Sequence, residues 1–182
     1  MIPTVILIAL AIGLGFLFNR LVSLRTRARS AWSDIDVQLK RRHDLIGSLV
    51  ETVKGYAEHE AKTLERVTEA RRDAGKVDGV EAQAKAEAGL AKQVRQLFAV
   101  VENYPELKAS DNFIQLHRSL VEIEDALQNA RRYYNAVVRD LNTRVQSFPD
   151  LIVASLFRFE TRDFFELDSE TERLAPQVDL GG

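Results

Sequence analysis

Three histidines are the first candidates for chemistry in a chain of 182 residues that contains no cysteine. Without thiols there are no disulfides, no thiolate metal ligands and no cysteine nucleophile, so a metal centre would need histidine and carboxylate together. Helical proteins build such centres from Glu-x-x-His pairs, which put both ligands on one face of a helix. None of the three histidines fits. Lys40 stands three residues before His43, Tyr56 before His59 and Ile114 before His117. His59-Glu60 opens like a zinc-protease motif, but the second histidine would fall at Thr63. Gly75-Lys76 resembles the end of a phosphate loop, yet Val77 stands where Ser or Thr is required. These residue types and spacings give no catalytic set, no cofactor site and no metal site. The expectation is a protein that is not an enzyme.

Carboxylates are more plentiful. Asp34, Asp36, Asp44 and Glu51 have the chemistry for acid–base work. Asp36 and Lys40, four apart on a helix, favour instead a solvated face of paired charges. Arg42 interrupts an apolar seam and is expected to pair with an acid from another helix, fixing register at some cost in stability. Trp32, Tyr133 and Tyr134 read as core aromatics whose polar tips reach the surface.

The elements that carry these side chains are helices. Apolar residues recur in steps of three and four through Trp32, Ile35, Leu39, Ile46, Leu49, Val53 and Tyr56. The same cadence runs through Phe113, Leu116, Leu120, Ile123, Leu127, Ala130, Tyr134, Val137 and Leu141. Between them lie Ala91, Val94, Phe98 and Val101, and a shorter piece with Leu64, Val67 and Ala74 that fits a helix from about Ala57. Gly75–Gly79 reads as a loop. Tyr104-Pro105 and Phe148-Pro149 each end a helix, because proline disfavours the helical conformation of the residue before it. Ser110 or Asp111 then caps the next one. Gly47 and Gly55 are softer breaks.

Two topologies follow. If the chain turns near Gly55, the fold is all-α, an up-down-up-down antiparallel bundle of four helices in which Trp32 and Tyr134 meet across the core. If it does not, the first helix runs unbroken to Ala74 and those two residues lie far apart. The first is the reading adopted. Nine Gly and four Pro are too few for a loop-rich β fold. A net charge of −2 with 29% charged residues argues against nucleic acid as a partner.

Residues 1–19 carry no charged side chain. As a helix, Ile2 to Phe18 is about 26 Å long and nearly spans a hydrocarbon core of roughly 30 Å. Arg20, Arg25, Arg27 and Arg29 follow, with no acid before Asp34. Positive charge after the apolar run predicts an uncleaved, single-pass anchor in the cell membrane, with the N-terminus outside and the body of the chain in the cytoplasm. The competing reading is a secretory signal with Ala9-Leu10-Ala11 as its cleavage site, but nothing basic precedes the apolar run. Ala9 with Gly13 and Ala11 with Gly15 leave room for close packing of two anchors, hence for a homo-oligomer. The expected organisation is a transmembrane anchor over residues 1–19, a helical bundle over 20–166 and a flexible tail over 167–182.

Five of the nine phenylalanines fall between Phe148 and Phe165, around the apolar stretch Leu151 to Phe157. This segment reads first as a cap on the open end of the bundle, with Phe157 and Phe159 buried. A docking surface and a membrane-interface segment are the other readings. Asp150, Glu160, Asp163 and Glu166 outnumber Arg158 and Arg162, which speaks against anionic lipid.

Several stretches together resemble the LemA family, small bacterial membrane proteins with an N-terminal anchor and a helical cytoplasmic domain. They are Ala31 to Ile46 (AWSDIDVQLKRRHDLI), Leu49 to Ala57 (LVETVKGYA) with Glu60, Tyr104 to Ala109 (YPELKA), Ala130 to Asn135 (ARRYYN) and Gln146 to Pro149 (QSFP). Where the family usually has Pro-Asn this chain has Gly47-Ser48, and where it usually has Ser-Asn after the Phe-Pro this chain has Asp150-Leu151. The resemblance implies an anchored helical bundle and brings no catalytic residues. The expected function is a non-enzymatic scaffold or adaptor, with the lipid bilayer as partner of the N-terminal helix and a membrane or cytoplasmic protein as partner of the bundle. The alternative is an accessory subunit of a membrane-associated enzyme whose site a partner completes.

Overall fold

The computed structural model describes residues 2–166; the tail expected over 167–182 lies outside them. The elements are α1 (Ile2–Lys54), a 3-10 turn (Glu58–Glu60), α2 (Ala61–Ala74), α3 (Val80–Val101), α4 (Pro105–Lys108), α5 (Asp111–Gln146) and α6 (Asp150–Leu156). No strand occurs among the described residues.

The anchor and the first bundle helix are one element. Pro3 sits in the first turn of α1, where a missing N–H costs nothing, and neither Gly13, Gly15 nor Gly47 interrupts the 53 residues that follow from Ile2. The break comes at Gly55. The amides of Tyr56 and Ala57 both donate to the Val53 carbonyl, at 3.0 and 2.9 Å, which closes the helix and turns the chain. The unbroken alternative to Ala74 is thereby ruled out. Gly79, at φ 95°, makes the turn into α3 in a conformation that side chains resist. Ser110 caps α5: its Oγ accepts from the Phe113 amide at 3.3 Å. Tyr104-Pro105 does more than end a helix, because Pro105 also opens the short α4.

The described residues divide into two compact units, 2–42 with Val121–Phe164, and His43–Leu120 with Phe165 and Glu166. In the second unit α1, α2, α3 and the start of α5 alternate in direction. Arg71 on α2 reaches back to the His43 carbonyl, Glu87 on α3 stands beside His43, and Asn112 at the start of α5 donates to Thr52 near the end of α1. The core comprises Ile46, Leu49 and Val53 of α1, Leu64 and Val67 of α2, Leu90, Val94, Leu97 and Val101 of α3, and Phe113 and Leu120 of α5, with Leu107 of α4 closing one side. The all-α, antiparallel character read from the sequence is found here.

The first unit is built differently. Here α5 runs antiparallel to α1, with Trp32 facing Tyr134 and Arg42 facing Glu124. The register is regular, since ten residues separate each pair of positions along its own helix. Leu21, Ala28, Ala31, Ile35 and Leu39 are buried against a face that includes Leu127, Tyr134, Val138, Leu141 and Val145. Two helices cannot bury such a seam alone. The cover is the chain after Pro149. Val153 and Ala154 of α6 are buried, as is Phe159. The Asn142 side chain then holds Arg162 at both backbone groups, at 2.8 and 2.9 Å, and the Tyr134 hydroxyl donates to the Asp163 carbonyl at 3.0 Å.

Candidate functional site

Of the carboxylates weighed for acid–base work, Asp34, Asp36, Asp44 and Glu51 are all exposed. Asp44 and Glu51 border one shallow cleft in the second unit, together with Gly47, Ser48, Thr68 and Arg71. His59 is exposed on the 3-10 turn. His117 stacks 6.2 Å from Phe113 and meets Phe98 edge-on at 5.2 Å, so its ring serves packing.

His43 is different. Its Nε2 lies 2.8 Å from Oε1 of Glu87, a carboxylate with no exposed surface. The same oxygen accepts from Nε2 of Gln83 at 3.0 Å, and that amide also reaches the Ala74 carbonyl at 2.9 Å. Nη1 of Arg71 donates to the His43 carbonyl at 3.2 Å, so three helices are laced through one polar knot. A buried charge is tolerated only with such partners. A lone histidine and carboxylate, closed in by their own hydrogen bonds, make a structural clasp and offer no open position. Among the described residues no three His, Asp or Glu side chains come together to hold a metal ion. The clasp is the polar feature that motif spacing missed, because its partners are 44 residues apart. One signal was present: Ala84, Glu87, Leu90 and Val94 keep the helical cadence, so Glu87 holds an apolar position on α3. A seam traced from Ala91 onward stops short of it.

Arg42, the interruption of the α1 seam, has its expected acid. Its Nε lies 2.7 Å from Oε1 of Glu124 on α5, with the arginine buried and the glutamate half exposed.

The second candidate is the apolar end of the first unit. Ile2, Val5, Ile6, Leu7, Ile8, Leu10, Ile12, Leu14 and Phe16 are all exposed, Leu17 and Phe18 are half-buried, and full burial begins at Leu21. This is one helix long and apolar enough to cross a membrane, and almost none of that stretch is covered by protein. The chain is membrane-associated. Arg20, Arg27 and Arg29 are exposed beyond the apolar run, while Arg25 lies with its guanidinium 4.8 Å over the Phe159 ring.

The Phe-rich segment packs at this same level. Phe18 meets Phe157 at 4.7 Å and Phe159 at 5.8 Å between ring centroids. Its seat is therefore the flank of α1 where the apolar run ends, and of the two phenylalanines expected to be buried only Phe159 is; Phe157 stays half exposed. The reason is the end of α6. The Phe159 amide donates to the Ala154 carbonyl at 2.9 Å, with Arg158 at φ 54° in the position where glycine usually stands. That reversal turns Phe159 inward and leaves Phe157 outside.

The model of the LemA family matches residues 31–180. Among individual proteins, Magnetosome protein MamQ 2 of Paramagnetospirillum magneticum is 23% identical over 88% of this chain and 70% of its own length. Magnetosome protein MamQ of Magnetospirillum gryphiswaldense gives the same figures. Protein LemA of Metamycoplasma hominis is 25% identical over 86% of this chain and 71% of its own.

Proposed function

We propose, from the premise that this chain belongs to the LemA family, that it is a non-enzymatic scaffold or adaptor presenting a helical surface at the bacterial cytoplasmic membrane. One observation carries the reading: α1 is a single helix whose first part is exposed and apolar and whose later part is the spine of the helical bundle. The arginines that follow the apolar run favour the helical body on the cytoplasmic side. Outward-facing side chains such as Val37, Val121 and Tyr133 give the first unit scattered apolar contacts for a protein partner. The relatives are named for the magnetosome or for the family itself, and an identity of 23–25% supports kinship and a shared architecture more than a shared task.

The test uses the absence of native cysteine. A single Asp78→Cys variant, exposed in the loop between α2 and α3, is expected to resist a membrane-impermeant thiol reagent in intact cells and to react after lysis. Labelling in intact cells would reverse the orientation. Crosslinking in native membranes is expected to capture a protein partner in stoichiometric yield; turnover of a small molecule by the purified complex would favour the accessory-subunit reading.

A further inference from the structure

The geometry points to a second membrane contact: we propose that the outer face of α6, with Phe148 and Phe157 at its two ends, inserts into the lipid interface beside the anchor. This rests on α1 spanning the membrane, and adds a separate lipid-binding element to that reading.

The first observation is that α6 is inverted. At 100° per residue, Leu151, Ile152, Ser155 and Leu156 fall within an arc of about 140°. That arc is the outward one: Ile152 is 56% exposed and Leu156 70%. The inward face is Asp150, Val153 and Ala154, with Asp150 only 4% exposed and held by Nη1 of Arg144 at 3.2 Å. A helix on a water-facing surface has the opposite arrangement, with large apolar residues inside and the acid outside. Phe148, 81% exposed, extends the apolar face by one more large side chain. Together these side chains form a contiguous apolar patch, unlike the singly scattered surface residues that need no explanation.

The second observation is where the patch sits. Both ends of α6 meet α1 at one level. Phe148, Pro149 and Asp150 share a cleft with Leu17 and Arg20, and Phe157 packs on Phe18. The helix therefore crosses α1 at the height where the uncharged run gives way to the first arginine. For an α1 standing across a bilayer, that height is the boundary between acyl chains and headgroups, and a helix lying across it lies in the plane of the membrane. The patch is continuous with the lipid-facing surface of the anchor.

Charge agrees. The acid nearest the patch, Asp150, is turned inward and neutralised by Arg144. Arg20 and Arg139 line the adjoining cleft against a single exposed acid, Asp140, and Arg158 follows Phe157 directly, exposed, in a backbone conformation that an arginine adopts only against a steric cost. A glycine there would be easier; an arginine supplies a cation at headgroup level. The one acid of α6 itself thus does not face the lipid.

The experiment uses the full chain in nanodiscs of three parts phosphatidylcholine to one part phosphatidylglycerol. Single cysteines replace Leu156, Ile12 and Gln128, each labelled with nitrobenzoxadiazole. Ile12 reports the anchor and Gln128 an exposed position on α5. At a depth of about 5–10 Å, the Leu156 probe should shift to the blue and lose most of its emission to lipids brominated near the headgroup, while iodide leaves it unchanged. The Gln128 probe should respond in the opposite way. Iodide quenching at Leu156 equal to that at Gln128 would overturn the proposal while quenching of Ile12 by lipid leaves the anchor intact. Protection of Leu156 from both quenchers would overturn it too, in favour of a protein partner. If Ile12 itself is not quenched by lipid, the spanning reading fails first. As a second variant, Leu151→Ser with Ile152→Ser, both exposed, should keep the fold and shift the Leu156 probe towards iodide; no shift would equally overturn the inserted face.

Discussion

The Trp32 ring lies 5.5 Å from that of Tyr134, inclined at 57°, and the Tyr134 hydroxyl continues outward to the Asp163 carbonyl at 3.0 Å. One tyrosine thereby joins α1, α5 and the segment after α6. Replacing it by phenylalanine keeps the ring pair and removes only the outer bond. Tyr134→Phe is expected to cost about 1 kcal/mol in denaturant melts of the solubilised protein. Trp32→Ala, which removes the ring pair itself, is expected to cost about 3–5 kcal/mol.

The same tyrosine makes an alkaline prediction. Burial raises its pKa above the ordinary 10.0, against a lowering by Arg162 and with a further rise from Asp163. In the window above that value the unfolded chain releases a proton that the folded chain keeps. Its contribution is therefore complete below about pH 10 and is lost as the pH climbs through the raised value. The stability gap between the wild-type chain and Tyr134→Phe should narrow from about pH 8 to about pH 11; a constant gap would contradict it.

At the clasp, Glu87→Ala leaves His43 and Gln83 facing a buried void. A loss of about 3 kcal/mol is expected. Glu81→Ala on the same helix breaks an exposed pair with Lys85 and should leave the midpoint unchanged, because such pairs are screened by solvent. Comparable effects of the two substitutions would mean that the knot does not hold the unit together.

Gly47 tests a different balance. A methyl group there would collide with Nη1 of Arg71, the far end of a flexible side chain. Gly47→Ala gains about 1 kcal/mol of helix propensity and displaces Arg71 from the His43 carbonyl, at a similar cost. The single variant should be close to neutral. In an Arg71→Ala background nothing stands in the way, and the same change should stabilise by about 1 kcal/mol.

At the end of α6, Phe159→Ala should cost about 3–5 kcal/mol, and Arg158→Gly should stabilise by about 1 kcal/mol by relieving the left-handed backbone. A thermal shift series on the purified chain checks both.

Much of this was legible in the residues. The seam through Trp32, Ile35 and Leu39 and its counterpart through Leu127, Tyr134 and Leu141 have a helical period that only one pairing satisfies once the chain turns at Gly55. Arg42 announced an acid by standing on that seam. What could not be read was long-range. Nothing local links His43 to Glu87, and the clasp exists only because α2 and α3 fold back beside α1. Nor does the pattern of α6 reveal its direction: Leu151, Ile152 and Leu156 in a stretch of seven look like core, and only the packing of Val153 and Ala154 shows that the smaller side chains face inward. The residues that carry the family resemblance, from Ala31 to Pro149, lie inside the matched range 31–180, and the clasp and α6 had to come from the packing.

The continuity of α1 from its exposed apolar residues into the Leu21 seam has a torsional consequence. With no linker between the two, the direction in which Phe16 or Ile12 points in the lipid plane is locked to the direction in which Ile35 points into the core. A single residue added after Asn19 would be a phase error of about 100°, which a rod without a hinge cannot absorb. Seven added residues would come back to within about 20° of the original phase, but would draw Phe18 about 10 Å along the axis away from Phe157 and Phe159. Rotation of the anchor about its own axis, by a neighbouring helix in the membrane for instance, is thus delivered undiminished to the residues that face the rest of that unit.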